Sequence, residues 1–177
     1  QGGKVVGQHQ LEHRQILPEA GWVEHDGAEI WDRVQEVITG ALKQTNLLGS
    51  DLSAIGITNQ RETTIAWDVS TGQPLHNAIV WQDRRTEPIC ADLRNAGKAE
   101  MIRSKTGLVV DAYFSGTKLQ WILDHIAGAR AAAVGRVRLR ATRTFGGRPA
   151  GPEASADRAG RRSGHALLRR DPAGHQV

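Results

Sequence analysis

The chain has 177 residues, enough for one domain with a real core, but its formal charge of +4 is spread unevenly. Residues 1 to 135 carry 13 basic side chains against 16 carboxylates, whereas residues 136 to 177 carry ten arginines, no lysine and three carboxylates, so the basic character belongs to the tail. The single cysteine, Cys90, excludes an internal disulfide, and neither a membrane-span-length apolar run nor a charged-then-apolar leader is present, which predicts a soluble cytoplasmic protein with Cys90 as a buried spectator.

The chain begins with Gln, which suggests a start inside a longer protein. Gly2 to Gly7, followed by Gln8 to Leu11, reads as a turn and an extended strand. Pro18 and Gly21 form a loop. Asp26 then stands three residues before Glu29, the spacing of a capping box. Downstream, Ile30, Trp31, Val34, Val37, Ile38, Ala41 and Leu42 recur at intervals of three and four, one face of a helix.

Ala54 to Ile57 is a short continuous apolar run, as expected of a strand buried on both faces. Thr63 to Trp67 reads as a second strand, Ser70 to Gln73 as a turn, and Ala78 to Trp81 as a third strand. Two helices are predicted at 86–95 and 99–105, closed by Gly97 and Gly107. Ser115 is placed to cap a last helix carrying the stripe Leu119, Ile122, Leu123 and Ile126, with Gly128 as its stop. Alternating strands and helices predict an α/β sheet flanked by helices. Periodicity ends near Gly135, and residues 136–177, rich in Arg, Ala, Gly and Pro, are expected to be disordered.

Polar residues at the end of a buried strand are where α/β sheets place ligand sites. Arg61 and Glu62 sit there and offer several donors and a pair of acceptor oxygens, both of which a small polyol needs. Taken singly, an Arg-Glu pair is more often a surface ion pair, Trp81 more often core, and Tyr113 more often a half-buried helix-edge residue.

Taken together the strings are more specific. Asn59-Gln60-Arg61-Glu62-Thr63-Thr64, Asn77-Ala78-Ile79-Val80-Trp81-Gln82 and the run from Gly107 to Lys118, together with Pro18 to Asp26, resemble glycerol kinase in order and spacing across residues 3 to 133. Members of the superfamily acting on larger sugars resemble the chain near Trp81 but generally lack the Arg61-Glu62 pair. The resemblance implies a partial actin-like (ribonuclease H-like) domain with a mixed sheet, spanning residues 1–135. It also implies ATP-dependent phosphorylation of glycerol, with ATP and Mg²⁺ as cofactors. In this pattern Arg61, Glu62 and Tyr113 hydrogen-bond the glycerol hydroxyls and Trp81 packs on its carbon chain, while Arg84 and Arg85 have structural roles. Full-length members are compatible with oligomers.

The family's phosphate-contacting hairpin, catalytic carboxylate and adenine pocket are not found here, so no catalytic residue is assigned. Asp83 and Asp111 are acids near the site without the role of base. The chain alone is expected to be inactive, weak in glycerol binding and marginal in stability. The tail has two readings. One is a shifted reading frame in a GC-rich gene. The other is a non-catalytic basic arm for nucleic acid or another polyanion, with Arg161-Arg162 and Arg169-Arg170 as its best support.

Overall fold

A computed structural model of the chain describes residues 3–133 and 137–141. The described residues divide into two compact units, one of residues 3–11 and 35–59, the other of 12–34, 60–133 and 137–141. The disorder expected of residues 136–177 lies outside the described residues except at 137–141, where a strand forms instead.

The second unit is organised around a sheet of four strands: β1 (Glu24–His25), β2 (Thr64–Asp68), β3 (Ala78–Ile79) and β4 (Val137–Ala141), in the order β1-β3-β2-β4. β3 pairs antiparallel with β1, through Glu24 opposite Ile79, and with β2, through Thr64 opposite Ile79. Each being antiparallel to β3, β1 and β2 run in the same direction. Every pairing among the described residues is antiparallel, where a mixed sheet is expected. The β2–β3 connection is short enough for a hairpin: Asp68 accepts the Gly72 amide at 2.8 Å, and Gly72 takes φ +72°. β4 lies along β2 from Asp68 opposite Val137 to Thr64 opposite Ala141, so regular structure continues past the composition change at 136.

The predicted helices form. α1 runs Gly27–Thr45, α2 Glu87–Asn95, α3 Ala99–Thr106, α4 Ser115–His125 and α5 Ala129–Ala133. Asp26 caps α1 by accepting the Ala28 and Glu29 amides at 2.8 and 3.3 Å. The capping box is only half made, because Glu29 turns away to accept the Arg14 amide at 3.0 Å. Gly107 ends α3 at φ +75°, the left-handed cap its place predicts. The core of the second unit is Ala66, Ile79, Trp121, Ile122 and Ala129, with Trp22, Leu75, Ile89, Leu123 and Ile126 packed against it. α4 therefore buries its stripe against the sheet.

Beside that core lies a buried charge cluster. Arg85 donates from Nε and Nη2 to the Asp83 carboxylate at 2.8–3.0 Å and from Nη2 to Glu24 Oε1 at 2.8 Å. Its guanidinium lies over the Trp22 ring at 3.9 Å and the Trp121 ring at 4.6 Å. Asp83 also accepts the Val23 amide at 2.7 Å, and Glu24 the Asn77 side-chain amide at 2.9 Å.

The first unit departs most from the sequence reading. Residues 3–11 form no strand, and neither does the apolar run Ala54–Ile57, whose Ile55 and Ile57 are 50% and 56% exposed. The reason is physical: a strand exists only against a partner ladder, and among the described residues none lies beside this run. The third predicted strand is likewise cut to Ala78–Ile79. In the first unit no described residue is buried. The backbone amides of 53–59 find no backbone acceptor among the described residues. In native-state hydrogen exchange these amides should exchange at nearly unfolded-chain rates, while those of β2 and α4 are protected. Protection of 53–59 matching that of β2 would contradict this assignment.

Candidate functional site

The site residues gather at the N-terminal turn of α4. Glu62 sits in the turn before β2 with φ +62°, a left-handed conformation that side-chain-bearing residues rarely adopt. That strained turn directs its buried carboxylate at α4: Glu62 Oε2 accepts the Ser115 amide at 3.0 Å and the Ser115 hydroxyl at 2.6 Å. Fifty-three residues away in sequence, Glu62 does the work of a capping side chain, its charge facing the positive end of the helix. Ser115, expected to cap α4, is instead its first residue, and its hydroxyl is a donor to Glu62. No described residue donates to Glu62 Oε1.

Tyr113 lies two residues before Ser115, and Trp81 joins the residue after Glu62 through its backbone. Their rings meet edge to face with centroids 6.0 Å apart, and Tyr113 meets Phe114 in the same way at 5.1 Å. Trp81 is 39% exposed, so one part of its ring packs and the rest faces outward. Its backbone amide reaches the Thr63 hydroxyl at 3.3 Å, tying the end of β3 to the start of β2. Arg61 is exposed and forms no ion pair with Glu62. Tyr113 and Trp81 thus meet each other, Tyr113 stands two residues ahead of the Ser115 that Glu62 holds, and Arg61 adjoins Glu62 through the chain.

Arg84 and Arg85 diverge despite their adjacency. Arg84 is half exposed and bridges Glu87 at 2.9 Å and Asp111 at 3.3 Å; Asp111 in turn accepts the Tyr113 amide at 2.7 Å, holding the turn before α4. Arg85 belongs to the buried cluster. Both make ion pairs within the fold. Asp83 has both oxygens bound, which bars it from accepting a substrate proton. Cys90 is buried beside Thr117, and burial raises its thiol above the ordinary value.

Sequence reasoning missed Lys118. Its side chain is fully buried, and its Nζ donates to the carbonyls of Ala112 at 2.8 Å and Tyr113 at 2.5 Å. The signal was present: Lys118 precedes Ile122 by four residues and so lies on the buried stripe of α4, where a charge is out of place. Burial pulls this ammonium from 10.5 to about 8, against the opposing pull of Asp83, Glu62 and Asp111 and the smaller one of Cys90.

The FGGY family of carbohydrate kinases, N-terminal domain, matches residues 1–139, slightly beyond the composition change at 136. The glycerol kinase of Delftia acidovorans is 60% identical over 131 residues, covering 74% of the chain and 26% of that protein. Glycerol kinase 1 of Streptomyces coelicolor is 58% identical over 132 residues, 75% of the chain and 26% of that protein. Among solved structures, glycerol kinase of Plasmodium falciparum with ADP superposes with TM-score 0.69 at 33% identity, covering 73% of the chain and 26% of that structure. The chain spans about a quarter of the length of these relatives.

Two outcomes test this geometry. Glu62→Ala strips the N-terminus of α4 of its acceptor and should cost about 1–3 kcal/mol in urea unfolding, with Glu62→Gln costing less; equal stability of all three would refute the cap. The second concerns pH. The folded value of Lys118 lies below its unfolded one, so the unfolded chain binds more protons between pH 8 and 10.5, and the Lys118 contribution to stability rises across that window. The unfolding free energy of the unsubstituted chain should therefore climb relative to that of Lys118→Met from pH 8 to 10.5, and be a constant difference below pH 8.

Proposed function

The chain belongs to the FGGY family of carbohydrate kinases, as a portion of that family's N-terminal domain, and from this premise we propose that it carries one wall of a glycerol site in an enzyme transferring the γ-phosphoryl group of ATP to glycerol. The observation that carries the reading is the Glu62 carboxylate, with no described donor on Oε1 and anchored through Oε2 to Ser115, two residues beyond the Tyr113 whose ring meets Trp81. Its closely similar relatives bear the name glycerol kinase.

A three-carbon polyol presents hydroxyls that both donate and accept, on an apolar carbon chain. Glu62 Oε1 accepts from one hydroxyl, the Arg61 guanidinium donates to another, and the Tyr113 hydroxyl does either. The Trp81 ring face covers the C–H groups. Arg61 meets the ligand by swinging from solvent, which its exposure and lack of an ion pair permit.

ATP and Mg²⁺ supply the phosphoryl group and the charge neutralisation that such transfer requires. The described residues do not fit them: no three His, Cys, Asp or Glu side chains among these gather as metal ligands, and Gly146-Gly147 lies outside the described residues. No transfer step is therefore assigned to this chain, whose part is to hold and orient the acceptor alcohol. Among the described residues no helix is long and apolar enough to cross a membrane. A lone buried thiol suits a reducing compartment, so the reading extends to a cytoplasmic protein. We place the end of the kinase-like domain after β4, at about residue 141, with the arginine-rich remainder outside it.

Ligand-observed NMR on the 177-residue chain should detect glycerol binding with a Kd on the order of 1 mM or weaker, since one wall makes only part of the contacts. Arg61→Met should weaken it about tenfold or more. Transfer of phosphate from ATP to glycerol by the isolated chain should be undetectable. Absence of binding at saturating glycerol, or affinity untouched by Arg61→Met, would sink the assignment.

A further inference from the structure

Lys118 is, among the described residues, a fully buried charge that neither the sheet nor the polyol contacts explain. Its stem lies on the core-facing stripe of α4, and its ammonium rises under the turn 111–114 to meet two consecutive carbonyls, those of Ala112 and Tyr113. These are the carbonyls flanking the Tyr113 Cα, so their position sets where the Tyr113 side chain leaves the backbone. The same turn is held from the outer side by Asp111, which accepts the Tyr113 amide at 2.7 Å. An apolar residue at 118 would leave both carbonyls beneath the turn without this donor.

We propose that Lys118 is a positioning residue of the polyol site, whose two bonds from beneath the 111–114 turn hold the Tyr113 ring against Trp81. The identity of the ligand rests on the glycerol reading above; the control of the ring rests on geometry alone. The groups facing the ammonium are Asp83 after β3, Glu62 before β2, Asp111 ahead of α4 and the Cys90 thiol on α2. Two of these, Glu62 and Asp111, also hold site residues. A protonated Lys118 is therefore the shared counter-charge of the carboxylate that binds the ligand and the one that fixes the tyrosine. Loss of its proton weakens both carbonyl bonds without abolishing them, because a neutral amine keeps two N–H donors.

Tyr113 is the chain's single tyrosine, so ring-¹³C tyrosine labelling gives one resonance that reports this ring whether or not a ligand binds. In the full chain that resonance should move with a midpoint within a unit of pH 8, well below the phenol's own titration near about 10. Lys118→Met should remove this transition and weaken glycerol binding about tenfold or more, and Lys118→Gln, which keeps two donors, should recover part of the affinity. A ring resonance flat between about pH 6.5 and 9, or one titrating identically in Lys118→Met, overturns the proposal. Should the Met variant fail to fold, the titration of the unsubstituted chain and the Gln variant decide. A titrating ring without glycerol binding means that the glycerol reading fails and the positioning role stands; glycerol binding with a flat ring means the reverse.

Discussion

The second unit depends on a guanidinium with no access to water. Arg85 is held by Asp83 and Glu24 and lies against the rings of both Trp22 and Trp121, so one cation joins the loop before β1, the segment after β3 and the middle of α4. Burying such a charge is expensive, and the arrangement survives because almost every donor and acceptor in it is matched. Nη1 is the exception, a buried nitrogen without a hydrogen-bond partner. The planar geometry of arginine is what the cluster requires: a lysine could not grip both oxygens of Asp83 while stacking on two indoles.

This cluster makes the site possible at one remove. By fixing Trp121 it fixes the angle at which α4 lies on the sheet, and hence the position of its first turn. Two side chains of that helix then reach outward in different directions, Ser115 to Glu62 and Lys118 to the carbonyls before it. The proposed ligand wall thus draws on the turn before β2, the end of β3 and the helix start. The left-handed backbone at Glu62 is the strain this assembly tolerates, offset by two hydrogen bonds to the charged oxygen.

Much of this was legible in the chain because the relevant signals are local. The three-and-four spacing of α1, the left-handed glycines after α2 and α3, and the turn at Ser70 to Gln73 each follow from neighbouring residues. The four proposed site residues came from the resemblance of whole strings. What escaped depended on distant partners. Ala54–Ile57 has a strand's composition but no ladder among the described residues, Ser115 has a cap's composition but a carboxylate from another turn claims it, and Glu29 answers Arg14 instead of closing its box. β4 carries arginines at alternate positions, and nothing in its own residues announces the pairing with β2.

The separation between Glu62 and Ser115 also bears on the order in which the molecule comes together. The hairpin contact of Leu75 with Ala66 closes nine residues, whereas the ligand wall closes fifty-three, a difference of roughly 1.5 kcal/mol in chain entropy alone. Short-range elements can therefore form with no pocket between them, and the wall exists only once the long loop has shut. A nascent or partly unfolded chain would carry most of its secondary structure and still be blind to its ligand. A ligand bound at the proposed wall would in turn hold that loop shut, acting as the last piece of the tertiary structure rather than as a guest in a finished one.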